Sequence, residues 1–198
     1  MNTTHTASTE LDQEELLHLA IEAMRRNDHG SALAHLKVGA QRFPAHAGIA
    51  FLLGAEHAQL GLFERAEVEF IRAINLDPNL SIARFQLGLL QLTQARLEDA
   101  RTTWAGLDSL SEEHALRLFK QGLEAMAEDH FAEARTLLER GIIANNFNPD
   151  LNNDMQNVLD HFPKQGNVPD NGQPASTAET ASPSPVWFNA YQNSDQGR

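Results

Sequence analysis

The chain has 198 residues and a formal net charge of −12, with 41% hydrophobic residues and no cysteine. Those figures fit a soluble folded domain with an extension, and they exclude disulfides, thiolate catalysis and cysteine-based zinc sites. The excess acid lies in the body of the chain and argues against nucleic acid, whose phosphates need clustered Lys and Arg, and against anionic membrane surfaces.

Residues 1–10 are polar and Thr-rich and read as a disordered lead, with no basic start and apolar core of a secretory signal. Thr9 with Asp12 is the expected cap of the first helix. Helical apolar spacing then predicts pairs of helices near 12–26 and 30–42, near 80–94 and 97–108, and near 112–127 and 131–144. Between the first two of these pairs, residues 47–80 carry the clearest pair: Ile49, Leu52, Leu53 and Leu60, then Phe63, Ala66, Val68, Phe70, Ile71 and Ile74. Gly61 ends its first helix, where positive φ is easiest without a Cβ, and Asp77-Pro78 ends its second.

A helical pair of this kind cannot bury its apolar faces alone, and the sequence supplies copies of it at a fixed period. Ala32, Ala66, Ala100 and Ala134 are 34 residues apart, as are Ala20, Gly54, Gly88 and Gly122, and Leu36, Phe70, Trp104 and Leu138. Pro44 and Pro78 keep the same spacing. The alternation has a steric reading: where two helices cross, a small residue on one admits a large one from the other, so Gly54 is matched to Phe70, Gly88 to Trp104 and Gly122 to Leu138.

After the fourth pair, Asn148-Pro149-Asp150 is a helix start with cap, first-turn proline and acid. Leu151, Met155, Val158, Leu159 and Phe162 form an apolar stripe opposite Asn and Asp residues, as expected of a closing helix over 149–162. Residues 164–198 hold Pro169, Pro174, Pro183 and Pro185 among Gly, Ser, Asn and Gln and read as a disordered tail. One cluster breaks it: Trp187, Phe188 and Tyr191, on a tether of about 24 residues that as a flexible coil reaches roughly 25–30 Å.

The 34-residue pattern resembles the tetratricopeptide repeat family through Leu53-Gly54, Gly61, Phe63, Ala66, Phe70, Ala73 and Asp77-Pro78. The resemblance covers four units, about 13–46, 47–80, 81–114 and 115–148, within a repeat domain spanning 11–163. The family's large aromatic near the start of each unit is here Leu16, Ala50, Arg84 and Leu118, and its later tyrosine is Ala23, His57, Gln91 and Ala125. The resemblance implies an all-α fold, a right-handed superhelical stack of helix-turn-helix units with a C-terminal capping helix. It also implies that the first helix of each unit lines a concave groove. The residues it places there are Leu17, Ile21 and Met24, then Phe51 and Ala55, then Phe85, Leu89 and Leu92, then Phe119, Leu123 and Met126. Arg25, Gln59, Gln86, Thr93 and Lys120 border this apolar lining.

Leu16, Leu53 and Leu87 already supply an inter-helix face, so the Phe51, Phe85, Phe119 row is expected to lie beyond it, in a groove that another polypeptide covers. The alternative is that these side chains pack among themselves. Nine histidines are scattered without close i, i+4 pairs, and no phosphate loop, nucleophile elbow or zinc-protease motif is present, so no catalytic, cofactor or metal site is expected. The expected function is a cytoplasmic protein–protein adaptor, not an enzyme, holding an apolar or amphipathic segment of a partner. Two alternatives are a chaperone for a secreted or assembling client and a scaffold that self-associates, or masks its own groove, through the aromatic tail. No nucleic-acid partner and no membrane insertion are expected. The peptide clamp that grips acidic chaperone tails is not matched, since Leu17, Ile21, Ile82 and Gln86 stand where its polar and basic residues belong.

Overall fold

A computed structural model describes residues 11–162, and among them every regular element is helical. The elements are α1 Gln13–Arg25, α2 His29–Arg42, α3 Ala47–Gln59, α4 Phe63–Leu76, α5 Ser81–Thr93, α6 Leu97–Trp104, α7 Ala115–Ala127, α8 Phe131–Ala144 and α9 Pro149–Asp160, with a 3₁₀ turn at Ala105–Ser109. None of these helices is long and apolar enough to cross a membrane. The described residues divide into two compact units, with the boundary between Ala83 and Arg84. In the first, α1 packs on α2, α2 on α3 and α3 on α4; in the second, α7 packs on α8 and α8 on α9.

The period survives in the backbone. Asn27, Gly61, Ala95 and Asp129 follow the first helix of each pair at 34-residue intervals, and all have positive φ, at 55°, 70°, 59° and 62°. The same bond closes each turn: the N–H of Asp28, Leu62, Arg96 and His130 donates to the carbonyl of Ala23, His57, Gln91 and Ala125, at 2.8–2.9 Å. Together these are a left-handed cap repeated four times. Asn, Gly and Asp tolerate that conformation; Ala95 carries a Cβ into it at a cost of about 1–2 kcal/mol.

Helix crossings follow the small-against-large rule. A Cβ added at Gly54 would lie 2.6 Å from Phe70 Cδ1 and one at Gly122 would lie 2.8 Å from Leu138 Cδ2. At Gly88 it would collide with the Trp104 indole. Trp104 is fully buried, stacked on Phe85 with ring centroids 5.9 Å apart, and its Nε1–H donates to the Phe85 carbonyl at 2.9 Å. In the first hairpin Ala20 and Leu36 hold the equivalent places in one buried cluster with Ile49 and Leu53.

Three boundaries differ from the expected ones. The first helix is capped by Asp12, not Thr9: the Asp12 carboxylate accepts from Glu15 N–H at 2.9 Å while Glu15 accepts from Asp12 N–H at 2.8 Å. Glu15 completes the reciprocal pair that Asp12 was expected to complete for Thr9. The helix expected over 97–108 stops at Trp104 and tightens into the 3₁₀ turn, where a Cβ at Gly106 would lie 2.6 Å from Arg84 Nε. Finally, α7 begins at Ala115 because His114 is its cap, Nδ1 accepting from Leu116 N–H at 3.2 Å.

The closing helix does begin at Asn148, whose side chain accepts from Leu151 N–H at 3.2 Å. Its approach is set by a pair of amides: Asn145, buried, donates to Asn152 Oδ1 at 2.8 Å, and Asn152 donates back to the Asn145 carbonyl at 3.1 Å. The expected disordered lead at 1–10 and the tail at 164–198, with Trp187, Phe188 and Tyr191, lie outside the described residues.

Candidate functional site

In the first unit the expected lining is partly open. Leu17 and Met24 from α1, with Leu52 from α3, pack half-buried on the cluster of Ala20, Leu36, Ile49 and Leu53. Phe51 packs half-buried on Ala50, Ala73 and Ala83, with its ring 6.0 Å from that of Phe70. Ala55 is half-buried, and Ile21 is 42% exposed. The amphipathic pattern explains this local arrangement: Leu16, Ala20 and Ala23 take the interior of α1, which turns Leu17, Ile21 and Met24 a third of a turn outward. Arg25, expected at the border, is held by Glu22 at 3.2 Å.

In the second unit the expected lining is closed. Phe85 and Phe119 are both 0% exposed, and Leu89, Leu92, Leu123 and Met126 are buried as well. These six residues are core and do not line an opening. The cause is local. A Cβ added at Gly141 on α8 would lie 2.5 Å from Phe119 Cδ1, so the missing side chain is what lets the Phe119 ring sink. Phe85 is held between Trp104 and Phe119, with centroids 5.9 and 6.1 Å away. Lys120 is buried rather than at a border, its Nζ donating to Asp108 Oδ1 at 2.7 Å, and Thr93 donates to the Leu90 carbonyl at 2.7 Å.

Beneath the first unit's surface lies a polar pair that spacing alone did not single out. Glu56 is buried, and its Oε1 is 2.5 Å from His29 Nδ1, tying the start of α2 to α3. His57, adjacent on α3, is buried with Nδ1 unpartnered among the described residues. Burial holds its pKa below the usual histidine range; Glu69 and Glu56 pull it upward, while Arg65 and Lys37 add to the depression. His57 is therefore neutral at pH 7, standing where the resemblance expects tyrosine. His46, like His114, caps a helix: its Nδ1 accepts from Ile49 N–H at 3.1 Å. Among the described residues no three His, Asp or Glu side chains gather as metal ligands.

No family model matches this sequence, and no curated protein matches it. Solved structures do resemble it. The crystal structure of MamA aligns at 20% identity and a TM-score of 0.56, covering 67% of this chain and 78% of that one. MamA 41-end from Desulfovibrio magneticus RS-1 aligns at 18% identity and 0.56, covering 74% and 81%. MamA MSR-1 C2 aligns at 21% identity and 0.51, covering 66% and 79%. At such identities the likeness is one of fold, and it fits helical repeats of the tetratricopeptide type.

Proposed function

We propose that the protein is an interaction adaptor whose first unit holds an apolar segment of a partner protein, helical or extended, against α1 and α3. The observation that carries this reading is Ile21, an aliphatic side chain 42% exposed, with Leu17, Met24, Phe51 and Ala55 half-buried on the same pair of helices. The equivalent residues of the second unit are buried, which confines the proposed contact to the first. A partner that covers such side chains gains the free energy of removing them from water, and a helix laid in an apolar groove does so with few polar contacts.

The test is Ile21→Asp, with Val68→Asp on α4 as the control, since Val68 is also exposed. Capture of protein partners from native lysate by Ile21→Asp is expected to fall at least about tenfold relative to wild type, an aspartate being costly to bury unpaired. The melting temperature is expected to fall by only a few degrees, because Ile21 lies outside the interior of α1, which Leu16, Ala20 and Ala23 take. Val68→Asp is expected to capture as wild type does. Undiminished capture by a folded Ile21→Asp variant would rule this face out.

A further inference from the structure

The closing helix α9 contains Asp150, Asp154 and Asp160 and neither Lys nor Arg. It lies on α8 through an apolar face in which Leu151, Met155, Val158 and Leu159 are buried. Asp154 stands at the rim of that face, partly buried, beside Met155 and one turn from both Asp150 and Val158. Among the described residues nothing offsets its charge. The charged residues of α8 are Glu133, Arg135, Glu139 and Arg140. Arg135 is 3.7 Å from Glu139 and lies over the Phe162 ring, and Arg140 is bound by Glu113 at 2.6 Å. Among the described residues the charged group that acts on Asp154 is Asp150, which repels it.

We propose that α9 is an acid-tightened cap, seated on α8 when Asp154 is protonated and loosened when Asp154 ionises. In the protonated state the side chain is a neutral group at the edge of an apolar contact. In the ionised state it is an unpaired carboxylate, partly out of water and next to another. Loosening opens Leu151, Met155, Val158 and Leu159, together with the part of α8 they cover. The second unit would then offer an apolar surface that depends on pH.

Burial, and after it the charge of Asp150, raises the Asp154 pKa from 3.8 to about 7 in the seated helix. A released helix returns Asp154 to the ordinary carboxylate value. The seated form therefore binds the proton more tightly, and its advantage is complete below about pH 4, declines as pH rises and levels off above about 7. Between pH 5.5 and 7.5 the opening equilibrium of α9 should rise roughly twentyfold.

Hydrogen exchange of the full chain at those two pH values, corrected for the intrinsic exchange rate, reads this directly. In wild type the α9 amides should lose about twentyfold in protection at pH 7.5 relative to pH 5.5, while those of α7 and α8 lose much less. Asp154→Asn should remove the difference and keep α9 protected at both values. Equal α9 protection in wild type at the two pH values would overturn the proposal, as would an Asn variant that kept the wild-type dependence.

Discussion

Phe119→Ala is expected to cost about 3–5 kcal/mol of stability in the second unit. The sequence pattern alone would have given this substitution a different outcome, loss of partner capture in an intact protein. Phe119 is 0% exposed, its ring against Gly141 and 6.1 Å from that of Phe85. Truncation leaves a cavity bounded by Phe85 and the backbone of α8, and α8 cannot close it without moving away from the Gly122–Leu138 crossing. Denaturant unfolding, followed through the buried Trp104 and by far-ultraviolet dichroism, measures the cost. Capture per folded molecule should match wild type, because no part of Phe119 reaches the surface.

Gly88→Ala is the second large effect, and it runs in the opposite steric direction. The added methyl enters the Trp104 ring, which cannot retreat: its nitrogen is bound to the Phe85 carbonyl at 2.9 Å and its face is stacked on the Phe85 ring. Overpacking of this kind costs about 3 kcal/mol. A partial rescue is built into the chain, since the first hairpin uses alanine and leucine, Ala20 and Leu36, at the same places. The double variant Gly88→Ala with Trp104→Leu should therefore be more stable than the sum of the two single losses, by about 1–2 kcal/mol. A strictly additive double variant would mean that the two residues do not share the crossing.

Most of the fold could be read from the residues because each repeated feature has a local cause. Glycine opposite a ring, Gly61 at positive φ, and Asn148 ahead of Pro149 each act through neighbours close in sequence or one period away. The depth of the phenylalanine row could not be read in this way. It depends on what surrounds each ring across the helix crossings: Gly141 admits the Phe119 ring, Phe85 is held between Trp104 and Phe119, and Phe51 rests half-buried on Ala50, Ala73 and Ala83. The helix ends missed at Asp12 and His114 had a similar origin. At the first, Asp12 accepts from the first-turn N–H in place of Thr9; at the second, the His114 ring nitrogen accepts from Leu116 N–H, a cap that helical spacing does not reveal. Ala95 at positive φ was hidden too, because alanine gives no hint of a left-handed turn and only the register with Asn27, Gly61 and Asp129 imposes it.

Where the apolar rows meet water decides which face can hold a partner, and a chain without cysteine allows that to be measured one position at a time. Single cysteines at Ile21, Ala55, Leu89 and Leu123 should be labelled by a soluble maleimide in a clear order. Position 21 should react at close to the rate of a free thiol and position 55 more slowly, with 89 and 123 at least about a hundredfold slower than 21, as expected of sites that react only through opening. Rapid labelling at 89 and 123, with 21 protected, would contradict the placement of the partner face on α1 and α3.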